Sequence, residues 1–372
     1  MSQGGNLIAH FSIVEDPRFD RNKKHPLINI ILIAICAVLC GADDWMDIAS
    51  FGEAKKKWFK TFLILPNGIP SHDTFGRVFA MLDASEFEKG FASWISSMSQ
   101  LLNGEVVAID GKTIRRSGSK KIGQRAIHMV SAFAKMNGLT LGQVAIDEKS
   151  NELKAIPKLL QILNVSGCIV TIDAAGCYRE VVHSIVEKQA DYLIAVKNNQ
   201  PTLLQDIEKL FKQIKKENLS YASTQEKGHG REEKRECVVI SQEVLLSHIH
   251  DKDSWKNLHS IAMVTNTRTI EEKTSTYTRF YISSLVSCDA QKMLAAVRDH
   301  WSVENSLHWI LDISFNEDQS RIRKGYAQNN FNLLRKIALG LLKKDTTKKI
   351  GIKGKRLNAG WDKTYLLKLL GI

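Results

Sequence analysis

The chain has 372 residues, of which 44% are apolar and 25% charged. That balance is ordinary for a globular protein of two or three domains, and no low-complexity tract or internal repeat is present. The formal net charge is +12, and the surplus is local: residues 321–372 carry 14 Lys and Arg against Asp345 and Asp362, while the remainder is neutral. Charge gathered in this way is the footprint of a nucleic-acid binder.

Six cysteines (Cys36, Cys40, Cys168, Cys177, Cys237 and Cys288) show no paired CxxC spacing. Neither a disulfide framework nor a zinc knuckle is expected, which suits a reducing compartment. The opening MSQGGNLIAHF lacks a charged segment followed by an apolar core, so no signal peptide is expected. The strongest apolar run, residues 27–40, falls short of the roughly 20 residues that cross a bilayer. A cytoplasmic protein with no membrane partner follows from these features.

In chain order, residues 1–20 read as irregular and 21–100 as helical. A buried helix is expected over 27–39 and a second over 44–62, with Ile48, Phe51, Trp58, Phe59 and Phe62 on its apolar side. Residues 66–70 form a turn. Ser71 then caps a helix bearing Phe75, Val78, Phe79 and Leu82, with Arg77 on it, and another helix covers 85–102. From 105 the pattern becomes strand-like: 106–109 is a short apolar run, 126–135 a second, and Asn137–Gly138 a hairpin signal before 139–147. An antiparallel meander is expected there. Helix 151–163, strand 167–174, helix 178–188, a strand from 191 and helix 202–215 follow. Residues 221–286 hold three strand-like runs with a polar helix between the first two. That segment is too long for a loop and reads as a β-rich insertion. Helices are then expected over 290–311 and 327–344, and the basic tail ends with a helix over 364–370.

Two of the apolar strands run into an aspartate, VVAID at Asp110 and IVTID at Asp173. Strand-end carboxylates on neighbouring strands converge at one sheet edge, where they repel unless a cation neutralises them. Magnesium suits such oxygen ligands. A third carboxylate is found in RDHWSVENSLHW, where His300, Glu304 and His308 recur every four residues and share a helix face. Trp301 and Leu307 or Trp309 lie on other faces, positioned to pack on the sheet. The histidine pair lacks the H-E-x-x-H pattern and a third nitrogen or sulfur ligand, which disfavours zinc. Asp312 and Asp318 are alternative carboxylates. Lys112, Arg115 and Arg116 follow Asp110 directly and suit a polyanion lying across the site.

At these residues the chain resembles the DDE transposases of bacterial insertion sequences, most closely the H-repeat-associated group. The motifs that carry the resemblance are AIDGKTIRRS, TIDAAGCYRE, IAVKNNQPTL, KGHGREEKRE and HWSVENSLHWILDISFNEDQSRIRKG, with DPRFDRNKKHPL and PSHDTFGRVF in the helical first part. The resemblance implies an α/β fold: a ribonuclease-H-like mixed-sheet core with a β-rich insertion (about 221–286), an N-terminal helical domain and a helical basic C-terminal segment. It divides the chain into an associated domain at 1–100, for DNA binding or dimerisation, and a catalytic domain at 101–372. It assigns the catalytic, metal-binding triad to Asp110, Asp173 and Glu304, with two Mg2+ (or Mn2+) ions. It further implies a homodimer or larger assembly on double-stranded DNA, both element ends and target, at the bacterial nucleoid. Lys112, Arg115, Arg116, Lys197, Asn198, Gln200, His229, Arg231, Arg298, His300, Arg321 and Arg323 are the candidate DNA contacts. In the broader superfamily an Arg stands four before the Glu and a Lys seven after; His300 and Leu311 occupy those places here. Asn198 stands where a glycine is more usual. A remnant that only binds DNA, and a nuclease on the same fold, are the alternative readings.

Overall fold

The computed structural model describes residues 7–119, 123, 125–146, 152–214, 219–228, 230–286 and 289–371. His229 and Cys288 lie outside the described residues. Nine strands form one sheet: β1 (Val106–Thr113), β2 (His128–Ala134), β3 (Leu139–Ile146), β4 (Ile169–Ile172), β5 (Asp191–Val196), β6 (Ser220–Gly228), β7 (Arg231–Ile240), β8 (Ser260–Ile270) and β9 (Lys273–Ser283). Their order is β3-β2-β1-β4-β5-β9-β8-β7-β6. The first three pair antiparallel as the expected meander, and β4 and β5 run parallel to β1. This is the mixed sheet of a ribonuclease-H-like core.

The β-rich segment continues that sheet. β9 pairs antiparallel with β5, with Leu193 opposite Ser283, and β8, β7 and β6 follow outward. It holds four strands where the sequence reading has three. β6 is polar and mostly exposed, so it carries no apolar alternation by which it could be read. The polar helix expected between β7 and β8 is a single turn, Glu243–Leu246, followed by a short 3-10 turn.

Side chains alternate across each strand, and the two faces of the sheet build two cores. Val107, Val170, Ile194 and Val196 join the large core shared with the N-terminal helices. Val106, Ile169, Leu193 and Ala195 form a smaller one under Ala290–His300, with Met293, Leu294 and Val297. Residues of even number on β1 and of odd number on β4, β5 and β9 share this second face.

The expected helix over 44–62 is two pieces, Trp45–Ala54 and the turn Lys56–Phe59. Lys55 leaves the helical register and its Nζ donates to the Gly360 carbonyl at 2.9 Å, while Trp58, Phe59 and Phe62 pack on one another. The expected helix over 290–311 is also interrupted. Ala290–His300 is followed by a π-helical segment, Glu304–His308, before α-helix resumes at Trp309–Phe315. Trp301 and Trp309 are 46% and 59% exposed; Trp301 meets the sheet through the Arg279 side chain of β9, and Leu307 is buried in the large core.

The basic C-terminal stretch is not a solvent-facing tail. Ala327–Lys344 is largely buried and packs against Leu27–Leu39 and His72–Met81. Arg335, Lys336, Lys355 and Arg356 are all buried, so part of the charge surplus is interior. Interior cations need acceptors. Lys336 donates to Ser131 Oγ and Gln143 Oε1 at 2.6 Å each. Arg356 donates to the Val38 carbonyl at 2.8 Å and lies over the Phe315 ring. A helix at Ile352–Trp361 precedes the last one, Lys363–Leu370; its two internal glycines hide it from a propensity reading.

Candidate active site

The parallel pairing of β1 and β4 places Ile109 opposite Ile172 and stops there. Asp110 and Asp173 are the next residue along each chain and fall on the same side of the sheet by strand parity. β1 itself runs three residues past Asp110, still paired with β2, where Asp110 faces Ser131. Asp110 is therefore at the end of one ladder and within another, near the carboxyl end of β1. β4 does end before Asp173, whose carboxylate accepts the Ala175 N–H at 3.0 Å and caps the following turn.

The third carboxylate arrives on the π-helical segment. Glu304 opens it and His308 closes it. A π turn widens the helix and is frequent at functional sites. His308 is buried, and its Nδ1 lies 3.1 Å from Glu304 Oε2 and 3.5 Å from Asp110 Oδ2. Asp110, Glu304 and His308 each offer a ligand atom within 4.8 Å of the others. Asp110, Asp173 and Glu304 line one cleft of about 150 Å³, with Lys197, Arg279, His300 and Trp301 around it.

The electrostatics of this cleft call for a cation. Burial pushes the Asp110 carboxyl up to about 7, and the charges of Asp173, Glu304 and Glu152 push the same way against the Gly111 N–H. Among the described residues no Lys or Arg ion pair reaches Asp110, Asp173 or Glu304; the nitrogen that approaches Asp110 and Glu304 is His308 Nδ1. Burial also lowers His308 and takes His300 down to about 4, so both imidazoles are neutral near pH 7. His300 Nδ1 lies 3.0 Å from Thr171 Oγ1. Three carboxylates and one neutral imidazole make an oxygen-rich donor set that fits a hard divalent ion.

The candidate DNA contacts separate into groups. Lys197 and Asn198 are exposed at the mouth of the cleft. Arg115 and Arg116 are exposed on the turn after β1, and Arg321 is exposed in the stretch ahead of Ala327–Lys344. Arg323 donates to the Arg116 carbonyl at 2.9 Å. Arg231 and Arg298 border a neighbouring hollow and pair with Glu233 and Glu226. Lys112 and Gln200 are engaged within the protein itself. Lys112 is not a free phosphate clamp: its Nζ is held by Asp312 at 2.5 Å and by the buried Glu317 at 2.6 Å. Gln200 closes a turn, donating to the Cys177 carbonyl at 2.9 Å. His300 is in the wall of the cleft, with its Nδ1 turned to Thr171 Oγ1. His229 lies outside the described residues.

Other residues beside the carboxylates carry no sequence signal. His128 Nε2 lies 2.6 Å from Glu152 Oε1, and His128 Nδ1 lies 2.7 Å from Thr113 Oγ1. A Cβ at Gly111 would come within 2.4 Å of both Glu152 Oε1 and His128 Nε2, so this pair occupies the room that glycine leaves. Arg279 lies over the Trp301 ring at 4.8 Å. Its strand parity places it on the catalytic face, but only the β5–β9 pairing brings it near.

The family comparisons agree with this geometry. The transposase DDE domain matches residues 102–341, and the DDE_Tnp_1-associated domain matches 8–95. YncI of Escherichia coli O157:H7 is 39% identical over 98% of this chain and 94% of its own length. The H repeat-associated YhhI of Escherichia coli strain K12 is 39% identical over 98% and 97%. Both are provisionally named transposases. The cryo-EM structure of the piggyBac transposase synaptic complex with hairpin DNA aligns with 98% of this chain and 78% of its own at a TM-score of 0.44 and 10% identity. With both family matches placed end to end and two relatives matched over nearly their whole length, the chain belongs to the DDE transposases, in the H-repeat-associated group.

Proposed function

We propose that this transposase cuts element-end DNA and joins it to target DNA at a site built from Asp110, Asp173 and Glu304, which hold two Mg2+ ions, with Mn2+ able to substitute. The observation that carries the reading is the meeting of three carboxylates in one cleft without a Lys or Arg ion-pair partner among the described residues. Bound metal there supplies Lewis-acid stabilisation of the reacting phosphate and acidifies water. The chain's own groups do the positioning. The β1–β4 ladder sets Asp110 beside Asp173, and His308 holds the Glu304 carboxylate toward them. Lys197 and Arg279 flank the cleft as cations for the phosphates on either side of the cleaved bond. Water attack on phosphorus breaks the bond to the 3′-oxygen and frees a 3′-hydroxyl. That hydroxyl then attacks a target phosphodiester in line, and the target's own 3′-oxygen leaves.

Residues 1–100 serve DNA binding or dimerisation and 101–372 the chemistry, in a homodimer or larger assembly acting at the nucleoid. Among the described residues no helix is long and apolar enough to cross a membrane. The test is strand cleavage and joining on duplexes carrying the element's terminal sequence. Joined product requires Mg2+ and is lost in Asp110→Asn, Asp173→Asn and Glu304→Gln. If Asp110→Asn cuts as well as its parent, the assigned site is wrong. Cleavage without joined product identifies a nuclease, and salt-sensitive binding without cleavage identifies an inactive remnant.

A further inference from the structure

Three separate stretches of chain bring six cations to one side of the molecule. Arg77 is exposed on His72–Met81, and Arg115 and Arg116 on the turn after β1. The stretch ahead of Ala327–Lys344 adds exposed Arg321 and Lys324 and half-buried Arg323. Specific contacts hold them together. The Tyr326 N–H donates to the Ala80 carbonyl at 3.1 Å, which fastens the third stretch to the helix of Arg77. Gly325 has φ +51, and a Cβ there would lie 2.4 Å from the same carbonyl oxygen. Only glycine passes so close in that conformation. Arg323 donates to the Arg116 carbonyl at 2.9 Å, and Asp318 takes both the Arg115 N–H at 3.2 Å and the Arg115 guanidinium at 3.3 Å, which ties in the second stretch and pairs that one cation.

Arg77, Arg321, Arg323 and Lys324 line a common open hollow of about 400 Å³. Two carboxylates share it, Asp44 and Asp73. Asp44 is engaged as a helix cap, accepting the Met46 and Asp47 N–H groups. The cations outnumber the acids, and a fold that pins like charges side by side has a polyanion to meet them. The hollow's tryptophan, Trp45, is packed on Phe79 and Phe331, so its ring is engaged in the core and not free for the base stacking on which single-strand binding relies. Arg115 lies five residues beyond Asp110, at most about 17 Å along extended chain, or about five phosphate steps of one DNA strand.

We propose that this composite surface grips the phosphate backbone of duplex DNA next to the cleaved bond, joining the helical first part of the chain to the catalytic face through one ligand. The proposal rests on the transposase reading above, and its test is a binding measurement that needs no catalysis. In the Asp110→Asn background, a labelled short duplex of arbitrary sequence is titrated over a range of salt concentrations. Removing Arg77 and Lys324 together (Arg77→Ala/Lys324→Ala) lowers the slope of log affinity against log salt by about two, one for each phosphate that is no longer neutralised. Arg321→Ala lowers it by about one on the same grounds, and serves if the double variant melts below its parent. Unchanged slopes in these variants overturn the proposal, as does an equal loss for single-stranded DNA. A parent that binds duplex with no salt dependence overturns the transposase reading as well.

Discussion

The Lys343 ammonium donates to the carbonyl of Ser306 at 2.7 Å. The residue sits in the last turn of a helix that runs through the core, and Ser306 is in the middle of the π segment that carries Glu304. A carboxylate on an irregular turn is only as well placed as the turn is held. Lys343→Met is therefore expected to cut strand cleavage by about 10- to 100-fold, the range that follows displacement of a catalytic group by an ångström or less. Duplex affinity should stay at the parent value; single-turnover rates and binding isotherms separate the two.

The same lysine makes stability depend on pH. Burial lowers Lys343 from 10.5 to about 8. Between those values the unfolded chain holds the proton and the folded chain does not, so stability rises as pH climbs from about 8 to about 10.5. The gain is at most about 3 kcal/mol at 1.36 kcal/mol per pK unit. Paired urea melts of parent and Lys343→Met across this range should diverge, with the parent gaining.

Asp110 predicts the opposite sign for the metal-free protein. Its carboxyl goes from 3.8 to about 7 on folding, chiefly through burial. Between those values the folded chain holds the proton and the unfolded chain does not, so metal-free stability falls as pH rises from about 4 to 7. With the side chain 26% exposed, the loss is discounted to about 1–3 kcal/mol. Asp110→Asn should melt higher than its parent at pH 8 without metal and alike at pH 4. Added Mg2+ should raise the melting temperature of the parent and leave the variant where it is.

Lys112 is a structural cation in this geometry. Glu317 is 1% exposed, and although burial drives its pKa up, Lys112, Arg335 and Lys336 together hold it below the ordinary value. Lys112→Met strips a buried carboxylate of its closest partner, which costs about 3–5 kcal/mol. Lys112→Met/Glu317→Gln should recover part of that in thermal melts. A phosphate clamp would instead lose DNA affinity at unchanged stability.

Gly111→Ala tests the crowding beside Asp110. The new methyl collides with Glu152 and His128, and displacing a packed pair of this kind costs about 1–3 kcal/mol. Gly111→Ala/Glu152→Ala removes one of the two colliding side chains and should melt closer to the parent than Gly111→Ala does.

What could be read from residue order was whatever repeats along the chain. The apolar runs ending at Asp110 and Asp173, the hairpin at Asn137–Gly138 and the apolar setting of Glu304 are all local patterns, and the structure brings those three carboxylates into one cleft. The same local logic misjudged the long helix over 290–311, because a π turn adds a residue without changing composition. It also misjudged the basic residues. Lys112, Lys336 and Arg356 look like solvent-facing cations in sequence, but each is interior and held by groups far along the chain, at Glu317, Gln143 and Val38. The apolar runs that mark the buried strands β1, β4 and β5 are local to the chain, so sequence by itself determines them; polar β6 is a strand only because β7 pairs with it. Whether a cation meets DNA or a buried acceptor depends on which distant segment packs over it, and only the tertiary structure decides that.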